Sequence, residues 1–170
     1  AWVSDVLCAL ERECSGEMES GWVTGGGISE NEEQTRQIWA IREGLREAQT
    51  AEGLAFTHDI SVKVSQVPSL IRRAISGGET LVPGVRVYPF GHVGDGNIHL
   101  SFLQPAGLDT EEFKAKKTAF SNLLFTLIND LNGSFSAEHG VGILRLDEMS
   151  LYKNPAALDM MSRIKSALDP

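Results

Sequence analysis

The chain has 170 residues, enough for one domain with a sizeable core. Its 42% hydrophobic and 22% charged residues are those of a globular protein rather than a disordered or fibrous one. A formal net charge of -8 excludes a surface built for nucleic acid, and no apolar run approaches the roughly 20 residues that span a bilayer. The two cysteines, Cys8 and Cys14, have no metal-ligand spacing around them. A disulfide scaffold is therefore not expected, and a reducing compartment, the cytoplasm, is. The ends, Ala1-Trp2 and Asp169-Pro170, read as cut from something longer.

Trp2, Val3, Val6, Leu7 and Leu10 recur at helical spacing and predict an amphipathic first helix, followed by a loop or short strand over 16–27. Ser29 is the expected N-cap of a second helix, with Glu32 as its capping-box partner. That helix carries Ile38, Ile41 and Leu45 on one face and is expected to end near Gly53. Residues 56–64 alternate as a strand, with Ile60, Val62 and Val64 on one side; a short helix with Leu70, Ile71 and Ile75 begins at Pro68. Two hairpin arms follow at 85–90 and 98–102. A long helix over 111–131 turns Phe120, Leu123, Leu124, Leu127 and Ile128 inward. A short strand at 133–137, a turn, a helix near 143–149 and a last helix over 155–168, with Pro155 in its first turn, complete the chain. Helices and antiparallel strands mix without a βαβ rhythm. The expected class is therefore α+β: one domain over 1–170, an antiparallel sheet covered by helices in a ferredoxin-like manner.

The hairpin holds the most informative run, Gly91-His92-Val93-Gly94-Asp95-Gly96-Asn97-Ile98-His99-Leu100. Asp95-Gly96 suits a two-residue turn needing positive φ. Counting outward from it opposes Gly94 to Asn97, Val93 to Ile98 and His92 to His99. Opposed residues of an antiparallel pair share a face, with Cβ atoms roughly 4.5–5.5 Å apart. Two imidazoles so placed are half of a metal site, or simply caps on a sheet edge.

The next candidate is Ser136-Ala137-Glu138-His139-Gly140-Val141-Gly142, which joins a carboxylate to an imidazole at a strand end. It is either a ligand segment or a solvated loop. His92, His99 and Glu138 together would supply two nitrogens and one oxygen and leave a position open, as a catalytic zinc requires. Arg42 has Glu43 and Glu47 as near neighbours and reads as a solvated helix face or an anion clamp. His58, beside Asp59, is a further polar candidate. Gly25-Gly26-Gly27 lacks a following Lys-Ser/Thr and is not a phosphate loop.

Taken together, the hairpin motif and the 136–142 motif resemble the C-terminal domain of FAD-linked oxidases, the family of D-lactate dehydrogenases, glycolate oxidases and D-2-hydroxyglutarate dehydrogenases. Ile41-Arg42-Glu43 and His58-Asp59-Ile60-Ser61-Val62 agree with it, so the resemblance runs from about Trp39 to Pro170. It implies a substrate- and metal-binding domain of an FAD-dependent dehydrogenase that oxidises a D-2-hydroxy acid, of lactate, glycolate or 2-hydroxyglutarate type, to the keto acid. It further implies FAD held mainly by an N-terminal FAD-binding domain, a divalent metal (zinc expected) and no turnover by this chain alone.

By the same resemblance His92, His99 and Glu138 match the metal ligands and His139 the general base. Arg42 matches a partner of the substrate carboxylate, which suits a bidentate guanidinium. Asn97 is a substrate-binding candidate whose first role is turn geometry. Thr57 stands where members often show Lys, Lys63 where they show Pro, Ser101 where some show Asn, and Arg46 where some show Thr. Arg46, one turn from Arg42, offers a second cation to substrate. A homodimer is one assembly the chain allows. Two other classes compete: a stand-alone metal-dependent hydrolase with the same ligands, and a non-catalytic structural module.

Overall fold

The computed structural model describes residues 27–169 except Leu144. The expected first helix, the 16–27 segment up to Gly26, and both cysteines lie outside the described residues. The chain divides into two compact units, Ala1–Arg46 and Glu47–Pro170.

Helix α1 (Glu32–Glu52) crosses that division. Its cap is not Ser29. Asn31 Oδ1 accepts from the Gln34 amide at 3.0 Å, and Gln34 Oε1 in turn accepts from the Glu30 amide at 2.7 Å. Asn–x–x–Gln thus fills the role expected of Ser–x–x–Glu, two residues later. Ser29 instead accepts from the Thr35 hydroxyl. Ile38, Ile41 and Leu45 are exposed.

In the second unit, β1 (Ala55–Ser61) leads through a 3-10 turn (Val64–Gln66) into α2 (Val67–Leu81). β1 stops before Val64, which is exposed; Ile60 and Val62 are buried as expected. Pro68 sits in the first turn of α2, where its missing N–H costs nothing. That helix is longer than expected and buries Leu70, Ala74 and Gly78, while Ile75 is exposed. Strands β2 (Arg86–His92) and β3 (Asn97–Leu103) form the hairpin. The sheet order is β1-β3-β2, antiparallel throughout, with Pro89 on the edge strand, where a missing donor is tolerated.

The expected single helix over 111–131 is two: α3 (Thr110–Ala115), capped by Asp109, and α4 (Lys117–Asp130), with the break at Lys116. Phe113 and Phe125, absent from the expected core face, are buried; Leu123 packs at its margin. The expected strand at 133–137 is one antiparallel bridge, Ser134 to Ser61, on the free edge of β1. In space the bridge, β1, β3 and β2 keep the ferredoxin-like order with its last strand reduced to a single bridge. α5 (Leu146–Tyr152) starts later than expected, and α6 (Pro155–Leu168) matches its expectation, capped by Asn154.

The period-2 alternation of β1 and β3 sorts the sheet into two chemically opposite faces. Phe56, Ile60, Ile98, Leu100 and Phe102 lie in the core with Leu70 and Ala74 of α2 and Phe120 and Leu124 of α4. Phe120 stacks on Phe102 with ring centroids 4.5 Å apart and meets Phe56 and Phe113 at 6.0 and 5.6 Å. The other face presents Thr57, Asp59 and Ser61 on β1 opposite Ser101, His99 and Asn97 on β3. This second face carries the polar chemistry.

Candidate metal centre

The hairpin does not close by the two-residue turn its Asp-Gly suggests. His92 pairs with Asn97, Gly91 with Ile98 and Phe90 with His99, leaving four residues in the connection. Val93–Asp95 form a 3-10 turn, and Gly96 alone takes the left-handed conformation at φ 71°. The cause is tertiary. The Val62 amide donates to Gly96 O at 3.0 Å, and a Cβ on Gly96 would lie 1.9 Å from the Val62 carbonyl oxygen. The turn is therefore seated on the chain leaving β1. His92 and His99 are not directly opposed, as counting from the turn predicts, but offset: His99 faces Phe90, two residues before His92. An offset of two residues preserves the face, so both imidazoles still project to the same side.

On that side they meet Glu138. His92 Nδ1 lies 2.8 Å from one of its carboxylate oxygens, and His99 Nε2 lies 3.8 Å from the other. Asp59, cross-strand partner of His99, places Oδ1 3.6 Å from His99 Nδ1. Asp59, His99 and Glu138 each offer one ligand atom, all within 4.8 Å of one another. The Asp59 side chain is buried and that of His99 half-buried, 8% and 13% exposed, whereas those of His92 and Glu138 stand at the rim at 53% and 41%.

Asp59 Oδ2 accepts from three consecutive amides, Ala137, Glu138 and His139, at 3.2, 2.8 and 2.9 Å. Burial alone would raise the Asp59 pKa. The amides of His139 and Glu138, with His139 and His99 nearby, outweigh burial and hold the carboxyl below its ordinary range. His139 stacks on His99, centroids 5.5 Å apart and planes 11° from parallel, with its Nδ1 3.6 Å from Asp59 Oδ2.

Among the described residues, Asp59 Oδ1 and both polar atoms of the Asn97 amide are buried without a hydrogen-bond partner. Such orphans are costly unless something else satisfies them. Two imidazoles and one carboxylate, His92, His99 and Glu138, are a donor set that fits a borderline divalent cation, with the Asp59 carboxylate held close behind His99. Asp59 is the residue sequence reasoning overlooked. Its signal is an aspartate in the middle of a strand, a position that disfavours it unless it has work on the polar face.

His58, one residue away, points to the core instead. Its Nε2 is 2.9 Å from Ser121 Oγ, its ring packs edge-on against Phe102 and Phe125, and it is not part of the centre. Arg42 and Arg46 lie on α1 in the first compact unit, while the centre lies in the second.

An antiparallel sheet with helices on one face and a cluster of imidazoles and carboxylates on the other defines an α+β domain with a candidate metal centre. Residues 4–170 match the family model of the FAD linked oxidases, C-terminal domain, and the chain belongs to that family. It is 36% identical over 155 residues to a D-2-hydroxyglutarate dehydrogenase of Stutzerimonas stutzeri (strain A1501), covering 90% of this chain and 33% of that one. It is 34% identical over 153 residues to a D-2-hydroxyglutarate dehydrogenase of Xanthomonas citri pv. viticola, covering 90% and 32%. With the mitochondrial D-2-hydroxyglutarate dehydrogenase of Bos taurus it shares 32% over 167 residues, covering 96% and 28%. The chain thus spans about a third of the length of the curated relatives it matches. No helix among the described residues is long and apolar enough to cross a membrane.

Proposed function

We propose that this chain is the substrate- and metal-binding part of an FAD-dependent dehydrogenase that oxidises a D-2-hydroxy acid, of the 2-hydroxyglutarate type, to its keto acid. The observation that carries the reading is the convergence of His92 Nδ1 and His99 Nε2 on the two oxygens of Glu138. Family membership supports the flavin, and the names of the relatives support the substrate class over lactate or glycolate. Their roughly threefold greater length supports a separate FAD-binding domain as the partner. The cytoplasm and zinc belong to the same proposal.

His92, His99 and Glu138 hold the metal, which when bound supplies a Lewis acid for the substrate hydroxyl; the flavin supplies the hydride acceptor. The chain's own residues do the rest. His139 accepts the hydroxyl proton at Nε2, since its Nδ1 is turned to Asp59. Arg42 and Arg46 take the substrate carboxylates, a role for which paired guanidinium N–H groups are suited. Asn97, on the same face of β3 as His99, is the remaining candidate for the bound acid.

Zinc titration of the chain by calorimetry tests the centre. One equivalent is expected to bind, and His99→Ala and Glu138→Ala to abolish binding while leaving the fold intact. Equal affinity in all three proteins would overturn the metal assignment. Flavin reduction by D-2-hydroxyglutarate is expected only when the FAD-binding domain is present. Reduction of added FAD by this chain alone would contradict the division of labour.

A further inference from the structure

We propose that Asp59 is a positioning residue that presents the whole centre: one carboxylate oxygen gathers the amides of residues 137–139, and the other faces Nδ1 of His99 so that Nε2 is the ligand atom. The inference deepens the proposed function and rests on it for the identity of the ligands. Ala137, Glu138 and His139 lie in irregular chain beyond the Ser61–Ser134 bridge, outside any helix or strand. Among the described residues, their amides find the Asp59 carboxylate and, for Ala137, also the Asp59 carbonyl at 3.3 Å. An anion accepting from successive amides fixes the backbone path, and with it the directions of the Glu138 and His139 side chains.

Oδ1 has no hydrogen-bond partner and stands at ion-pair distance, 3.6 Å, from His99 Nδ1. That exceeds hydrogen-bond length; the Glu138 carboxylate stands 3.8 Å from Nε2 but is far more exposed, so the buried Asp59 carboxylate is the stronger acceptor for the ring's proton and favours it on Nδ1. The antiparallel pairing of Asp59 with His99 makes the arrangement a property of the sheet rather than of a loop. One carboxylate thereby couples the orientation of Glu138, His139 and His99, which come from two separate chain segments.

The test compares the 170-residue chain with Asp59→Asn and Asp59→Ala by three measurements. Amide hydrogen exchange in Asp59→Ala is expected to accelerate at Glu138 and His139 by about tenfold or more, while Ile60 and Leu100 stay protected. Imidazole nitrogen spectra near pH 8 are expected to show His99 protonated on Nδ1 in the native chain and a mixture in Asp59→Asn. Cobalt(II) affinity in Asp59→Asn is expected to fall about 10–100-fold, with the ligand-field spectrum of the saturated protein unchanged.

Unchanged exchange at Glu138 and His139, or an unchanged His99 tautomer, overturns the proposal. A changed cobalt spectrum overturns it too, because Asp59 would then be a ligand. If Asp59→Ala does not fold, Asp59→Asn decides by the tautomer and the spectrum. Failure of the native chain to take up cobalt would sink the metal reading, whereas exchange and tautomer still judge Asp59 without any metal.

Discussion

His58 carries a prediction about acid stability, because the residue is 3% exposed and burial, helped by the nearby Arg145 guanidinium, lowers its pKa to about 4. Below the ordinary value of 6.5 the unfolded chain takes up a proton that the native ring refuses. The stabilisation is therefore complete above pH 6.5 and is lost as pH falls from there towards 4. Between pH 7 and pH 5 the loss from this one group amounts to about 2 kcal/mol. Urea unfolding midpoints at the two pH values measure it, and His58→Leu is expected to shrink the difference. Equal pH dependence in both proteins would assign the effect elsewhere. In the sequence His58 and Asp59 read as one polar pair. Strand alternation sends the first into the core and the second to the candidate centre.

The β2–β3 hairpin shows how a turn is chosen by what it rests on. Gly96 has positive φ and a side chain there would collide with the Val62 carbonyl, so Gly96→Ala must both strain the backbone and displace β1's exit. A destabilisation of at least ~2 kcal/mol is expected, read by thermal or urea unfolding. At Gly94, two residues earlier in the same turn, a Cβ would stand in open space, and Gly94→Ala is expected to stay within about 0.5 kcal/mol. Similar costs for both would mean the turn is not held by the β1 exit. The same contact accounts for the register. Asp95-Gly96 signals a tight turn correctly, but docking on Val62 selects the four-residue connection. The Lys116 break that divides the long predicted helix is equally hidden, since apolar spacing runs through it without interruption.

Taken as a whole, the second unit depends on an aromatic core that joins the sheet to α2, α3 and α4. Phe120 is fully buried and touches Phe56, Phe102 and Phe113, one from each of β1, β3 and α3. Phe120→Ala is expected to cost about 3–5 kcal/mol in unfolding free energy, since no single neighbour can fill the space. A cost below about 1 kcal/mol would show that the core repacks freely. The α+β class, the strands and the helices with strong periodicity can be read from residue order, because burial of one face imposes its period on the chain locally. So can the candidate ligands His92, His99 and Glu138, whose types and spacing suggest coordination chemistry before any contact between them is known. The sequence by itself could not decide the hairpin register, the cap at Asn31, or the part played by Asp59. Each of these depends on which groups come within a hydrogen bond of one another: Val62 beneath Gly96, and three amides of residues 137–139 around a carboxylate 78 to 80 positions earlier. Such contacts leave no period in the sequence, and only the assembled sheet brings them into being.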